Sequence, residues 1–197
     1  MSIVIDGTGS ITGIVTPVSA TQGGTGVTSA GSAGNVLVSD GTSWSSASKI
    51  TTGIAQNTTS GTSVDFTSIP SWAKRITVMF NGVSTNGTSL VQIQIGSGSF
   101  VTTGYLSSTT TNGATNTSTT GFLASNSNLA ANARNGLMTL TSIEGNTWVM
   151  GATVGSATNC STSQGVLSLG GALDRIRITT VNDTDTFDAG SVNIMYE

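Results

Sequence analysis

An all-β fold is what the sequence predicts, on three observations. Ser and Thr make up about a third of the 197 residues, and Val and Ile are the commonest large apolar residues. β-Branched side chains suit a pleated surface and are stiff in helices. Short runs alternate apolar and polar residues with the period of two that marks a half-buried strand. Turns are signalled by 26 glycines and only 2 prolines, so they are expected to be built on Gly and Asn. Together these predict an antiparallel β-sandwich of jelly-roll type over residues 61–197, preceded by an extended Gly-rich arm over residues 1–60 that carries one small β-hairpin.

The arm comes first. Gly7, Gly9, Gly13, Gly23, Gly24 and Gly26 punctuate it, and Ile3, Ile5, Ile11 and Ile14 are too sparse to offset its chain entropy by burial. Its compact signal runs from Asn35 to Trp44: Val36-Leu37-Val38 enters an Asp40-Gly41 turn, and Trp44 returns to cover the strand. A lone hairpin is marginal in water, so a core shared among several chains is expected to stabilise it.

Strand candidates then follow in order. Residues 63–67 are the first. Over residues 74–81, Ile76, Val78 and Phe80 share one face and Arg75, Thr77 and Met79 the other. Val91, Ile93 and Ile95 alternate with Gln92 and Gln94. Residues 100–106 and 121–123 are weaker. Met138 and Leu140 oppose Thr139 and Thr141; Trp148, Met150, Ala152 and Val154 oppose Val149 and Thr153. Residues 166–169 are short. Ile176 and Ile178 point inward with Arg175 and Arg177 outward, and Val192, Ile194 and Tyr196 share the last face. Residues 126–135 are the one candidate for a short helix. Pro70 and Trp72 are expected to turn the chain and plug one end of the sandwich, with a cation–π contact to Lys74 and Arg75 as an alternative use of Trp72.

Charge narrows the function. Charged residues are 8% of the chain, His is absent, and no Asp, Glu, Lys or Arg lies between Arg75 and Arg134. Acid–base and metal chemistry draw on those side chains, so the expectation is a non-catalytic binding or structural protein without cofactor or metal. A net charge of −3 lacks the basic footprint of a nucleic-acid binder. No apolar run approaches the roughly 20 residues of a membrane span, and none is expected to insert. Residues 1–6 show neither the basic n-region nor the apolar h-region of a secretory signal. Cys160 is the only cysteine, which excludes a disulfide within the chain and reads as a small buried or half-buried side chain.

Several patches carry a resemblance. Gly23-Gly24-Thr25-Gly26, Ala30-Gly31, Gly34-Asn35-Val36-Leu37 and Asp40-Gly41-Thr42-Ser43-Trp44 are similar to a segment recurring in bacteriophage tail-fibre proteins. Ile69-Pro70-Ser71-Trp72-Ala73-Lys74-Arg75-Ile76-Thr77-Val78, with Asn81-Gly82-Val83-Ser84-Thr85-Asn86-Gly87, resembles the opening of their C-terminal globular domain. Phe187-Asp188-Ala189-Gly190-Ser191-Val192-Asn193-Ile194-Met195-Tyr196-Glu197 resembles its last strand. The resemblance implies a homotrimeric virion protein, made in the cytoplasm of a bacterial host. Its arm would dock to other virion proteins, and its C-terminal domain would bind a host-surface glycan or protein. The long repetitive shaft of most tail fibres is missing or very short, which leaves open a stubby fibre, a tip subunit or a capsid spike; a purely structural spike or tail adaptor is the alternative. The sequons at Asn57, Asn86, Asn116, Asn159 and Asn182 are expected to stay unmodified in such a host.

Candidate contact residues fall in two places. Residues 107–121 read as a long uncharged loop of hydroxyls and amides, adaptable groups of the kind binding loops use. Thr110, Asn112, Thr115 and Asn116 lie in it, and Tyr105 at its edge is placed to stack on a sugar ring. Arg175 and Arg177 form a pair suited to an anionic sugar or phosphate, or to ion pairs between subunits with residues such as Asp174. Asn182, Asp183, Asp185 and Asp188 are the only acidic cluster. They lack the Gly and the distal Glu of a calcium loop and read as an Asx-rich turn. A carboxylate pair for polysaccharide cleavage is the enzymatic alternative.

Overall fold

In a computed structural model of the chain, the described residues are 24–127, 129–130 and 132–197, together with the backbone of β1 (Val4–Ile5) and β2 (Ile11–Thr12), which pair antiparallel. The other residues of the expected arm before residue 24 lie outside that set. All described regular structure is β and every pairing is antiparallel; neither large sheet closes into a barrel. The chain divides into two compact units, residues 1–50 and 51–197.

The first unit holds the expected hairpin, β3 (Asn35–Ser39) on β4 (Trp44–Ser48), in the register Val36↔Ala47 and Ser39↔Trp44. Asp40 builds its turn. One carboxylate oxygen accepts the amides of Thr42 at 2.8 Å and Ser43 at 2.7 Å, and the other accepts the Ser43 hydroxyl at 2.8 Å. Donors concentrated on the charged form draw the Asp40 carboxyl down to about 2, with the Ser43 amide the largest cause. Its stabilisation of the turn is complete above the ordinary value of 3.8 and is lost as pH falls toward about 2. Amide shifts of Thr42 and Ser43 are therefore expected to move together over that window, and Asp40→Asn is expected to abolish the transition.

The second unit is two sheets. The larger uses β5 (Thr51–Thr52), β6 (Gln56–Asn57), β8 (Arg75–Thr85), β11 (Leu106–Thr111), β12 (Ala114–Ser118), β14 (Arg134–Glu144), β15 (Thr147–Gly155), β16 (Cys160–Ser168) and β18 (Phe187–Tyr196). Their order is β12-β11-β16-β15-β14-β8-β18-β5, with β6 also on β18. The smaller uses β7 (Ser63–Thr67), β9 (Val91–Ser97), β10 (Ser99–Phe100), β13 (Phe122–Leu123) and β17 (Arg175–Thr180) in the order β10-β9-β17-β7, with β13 also on β9. The boundary expected at residue 60 falls ten residues earlier: Thr51, Thr52, Gln56 and Asn57 pair with β18 and cover what would otherwise be an open edge.

Both sheets turn their apolar positions to one core. Ile76, Val78, Phe80, Met138, Leu140, Trp148, Met150 and Val154 from the large sheet meet Val64, Phe66, Ile93, Ile95, Ile176 and Ile178 from the small one. Burial of each such side chain stabilises by roughly 1.5–3 kcal/mol. Gln92 and Gln94 are also buried, at 0% and 2% exposure, although alternation places them on the opposite face. The segment after β12 covers them: Thr120 and Ser118 hydroxyls donate to Gln92, and the Gln94 amide donates to the Thr120 carbonyl at 3.2 Å. The Gln92 side chain and the Gln94 amide thus find their partners within the chain.

Gly190 marks the closest backbone approach. It sits at φ 92 beside Gly82 at φ 66, where β8 and β18 slip register. A Cβ on Gly190 would lie 2.5 Å from the Gly82 carbonyl. Gly190→Ala is expected to cost about 3 kcal/mol from strain and overlap together, read as a lower midpoint of urea unfolding.

The short helix expected over residues 126–135 is a correction. No described residue there is helical, and β14 starts at Arg134; Asn128 and Ala131 lie outside the described residues. Asn side chains compete with helical hydrogen bonds. Asn126 donates to the Ala114 carbonyl at 2.9 Å, and Asn132 donates to Ser127 Oγ at 2.6 Å. Arg134 itself is 0% exposed. Its guanidinium donates to the carbonyls of Ser127 at 2.9 Å, Asn132 at 3.1 Å and Val83 at 3.5 Å, so a buried cation ties the irregular segment to β8.

Candidate recognition surface

Residues 107–121 are not the free loop that was expected. Most of the segment is in the β11–β12 hairpin, in the register Ser107↔Ser118, Thr109↔Asn116 and Thr111↔Ala114. Asn112 at φ 50 and Gly113 at φ 82 make the turn, both in the left-handed region that a type I′ turn requires. Uniform Ser and Thr gave no apolar alternation, and the Asn-Gly dipeptide was the signal that could have found it.

Four of the predicted contact residues come together on this hairpin. Thr110 and Thr115 face each other with hydroxyls 2.9 Å apart. The Asn112 amide donates to Asn159 Oδ1 at 2.9 Å, and that of Asn116 donates to Asn126 Oδ1. All four residues are exposed. Tyr105 is not with them. It is 0% exposed, its ring is edge-on to Phe122 at 4.9 Å, and its hydroxyl accepts the Ile95 amide at 2.8 Å and donates to the Val101 carbonyl at 3.0 Å. Burial pushes its phenol well above the ordinary range. The side chain expected to stack on a sugar is a core residue.

Beside the hairpin lies a groove of about 570 Å³ on the outward face of the large sheet. Leu106, Val149 and Val166 form an apolar floor, and Ser108, Thr117 and Gln164 supply hydroxyls and an amide. No lining residue is charged. Sequence reasoning missed Leu106, Val149, Gln164 and Val166. Val149 carried a signal, as an apolar side chain on the face opposite Trp148, Met150 and Ala152; β11 and most of β16 bury Ser and Thr and gave none.

Arg175 and Arg177 lie on the smaller sheet and are not part of this groove. Arg177 forks onto Asp65 at 2.8 and 2.7 Å, with its guanidinium 4.2 Å from the Phe100 ring centre. Arg175 forks onto Asp174 at 2.7 and 3.1 Å. Each carboxylate partner raises its arginine's pKa, and the hydrogen bond from Arg175 lowers that of Asp174. Arg175 and Asp174 pair within the chain, and both forks are engaged.

The acidic cluster is an Asx-rich turn joining β17 to β18. Asn182 Oδ1 accepts the Thr180 hydroxyl at 2.8 Å and the amides of Thr184 and Asp185 at 3.2 Å each. Asp185 accepts the Ser89 amide at 2.8 Å, Asp183 accepts the Thr179 hydroxyl at 3.1 Å, and Asp188 accepts the Ser84 hydroxyl. Among the described residues, no three His, Cys, Asp or Glu side chains gather to hold a metal.

Three smaller expectations are corrected. Trp72 is 56% exposed and pairs with Tyr196 at 5.6 Å, so it does not plug the sandwich. Arg75 bonds Glu197 rather than sitting on Trp72. Cys160 is exposed, because it falls on the outward side of β16 near its start. Compared with known proteins, the chain matches no family model, no curated protein and no solved structure.

Proposed function

We propose that this chain is a non-catalytic virion protein of the bacteriophage tail-fibre type, a homotrimer whose C-terminal jelly-roll domain binds a host-surface glycan or protein. The observation that supports this reading most is the groove beside the β11–β12 hairpin. It offers hydroxyls, an amide and an apolar floor without a charge, as suits a neutral ligand held by shape and hydrogen bonds. Binding to an array of bacterial surface polysaccharides, with release of sugar followed alongside, tests it. Gln164→Ala with Thr117→Ala is expected to weaken binding about tenfold, the loss of one or two hydrogen bonds. Sugar release that disappears in an Asp183→Asn, Asp185→Asn, Asp188→Asn variant would instead establish a depolymerase.

The second reading is a capsid spike or tail adaptor that docks through an extended N-terminal arm. The first unit favours it to this extent: Val36, Leu37, Val38 and Trp44 are exposed by 41%, 47%, 39% and 43%, which leaves the hairpin apolar surface to offer a partner. Deleting residues 1–50 separates the two readings. A recognition domain keeps its ligand as long as its copies stay assembled, whereas an adaptor loses its docking.

A further inference from the structure

We infer that a small cavity at the turn end of the β11–β12 hairpin binds one monatomic anion, of the size and charge of chloride. The inference goes beyond the recognition reading and does not depend on it. Three segments enclose the cavity: the end of β11, residues 125–127 and the β15–β16 turn. Its volume is about 30 Å³. A water-sized guest needs roughly 10–15 Å³, so the cavity admits a monatomic ion with at most one water and excludes sulfate or phosphate. No residue of its wall is charged.

The wall has donors left over while its acceptors are in use. Ser125 is 1% exposed, and neither its hydroxyl nor the buried hydroxyl of Ser156 has a partner among the described residues. The Ser127 carbonyl accepts from Arg134 at 2.9 Å, and Asn159 Oδ1 accepts from Asn112 at 2.9 Å. The Asn159 carbonyl accepts the Ser156 amide at 2.8 Å. Ser161 Oγ accepts the Asn126 amide at 2.9 Å and lies 2.6 Å from the Thr111 hydroxyl. A water would bring two hydrogens that need acceptors, whereas an anion only accepts. Charge points the same way. The buried Arg134 guanidinium stands behind the Ser127 carbonyl, its Nε has no partner, and among the described residues no carboxylate bonds it. Asp188 acts on it only through its more distant charge. A buried cation without a counter-ion is unfavourable, and an anion nearby in a low-dielectric interior relieves it. The same guanidinium repels a metal cation from these hydroxyl oxygens. Once bound, the anion ties residues 125–127 and the β15–β16 turn to the end of the hairpin, where the Asn112–Asn159 bond already joins two of them.

The test is urea unfolding of the 51–197 unit within the full chain, as chloride replaces gluconate at constant ionic strength. Gluconate is too large for the cavity and serves as the inert anion. Between about 5 and about 500 mM chloride the unfolding equilibrium constant is expected to fall at least tenfold, as any dissociation constant of about 50 mM or tighter requires. Ser125→Ala with Ser156→Ala removes both free donors and is expected to flatten the response to less than about twofold. A wild-type chain indifferent to chloride overturns the inference. So does a variant that responds as the wild type does, because the ion then acts elsewhere on the surface. Crystals of the wild-type chain grown in bromide give a measurement that needs no variant. An anomalous-scattering peak within hydrogen-bond distance of Ser125 Oγ and Ser156 Oγ is expected; a water in that place, without such a peak, overturns the inference. Neither readout involves a host ligand. A chain that holds the anion but binds no glycan or host protein defeats the recognition reading alone.

Discussion

Arg134→Ala is expected to destabilise the 51–197 unit by about 4 kcal/mol, within the range for removing one partner of a buried charged network. Three carbonyls, of Ser127, Asn132 and Val83, take their donor from this guanidinium, and among the described residues no carboxylate bonds it. Burial lowers the pKa of Arg134, and the more distant charge of Asp188 opposes that only in part. The cation is therefore held by neutral oxygens, an arrangement in which truncation leaves both unpaired carbonyls and a cavity. Arg134→Met separates the two losses. It fills most of the volume but donates nothing, and is expected to cost about 2 kcal/mol. Urea unfolding of both variants measures the difference. A cost below about 1 kcal/mol for Arg134→Ala would show that the segment before β14 folds without its buried donor.

The strands that were legible in the sequence are those in which one face is apolar. Residues 74–81 alternate cleanly and lie almost wholly within β8; Trp148, Met150, Ala152 and Val154 alternate and are all buried. The burial of Ile76, Ile93 and Ile176 follows from the same rule. Where the inward face is polar, the rule has nothing to read. β11 buries Ser107 and Thr109 and β16 buries Ser161 and Ser163, so the hairpin and most of β16 carried no hydrophobic period. Their hydroxyls are satisfied locally: Ser163 donates to Thr109 at 2.8 Å, and Ser107 accepts the Leu123 amide at 2.9 Å. Small polar side chains pack there as apolar ones do elsewhere, and composition alone cannot reveal it.

The candidate surface was legible in kind rather than in place. Four hydroxyl and amide residues named from the uncharged run do gather on one hairpin. The groove floor beside them required the sheet order, because β11 lies beside the β15–β16 hairpin in space but far from it in sequence. Arg175 and Arg177 looked available because the sequence cannot show Asp65 opposite Arg177 across β7 and β17. Arg134 showed itself only as the end of an uncharged run; its burial is decided by tertiary packing.

Tyr105→Ala is expected to cost about 4 kcal/mol and Tyr105→Phe about 1.5 kcal/mol, and the pair decides whether this residue serves the fold or a ligand. The ring fills a fully buried site against Phe122, so its removal opens a cavity. The hydroxyl alone joins the Ile95 amide to the Val101 carbonyl across the β9–β10 turn, and Phe at this position would leave both unpaired. A pH signature accompanies the loss. Burial raises the folded-state pKa of the phenol above its ordinary 10.0. The native protein therefore keeps a proton that the unfolded chain releases, and stability is complete below pH 10 and declines as pH rises above it. Tyr105→Phe is expected to remove that decline as well as lower the plateau. Ligand affinity measured in the same variants should be unchanged by Tyr105→Phe and weakened by Gln164→Ala with Thr117→Ala. Loss of affinity in Tyr105→Phe at full stability would return Tyr105 to the binding surface and require the ring to leave the core when ligand binds.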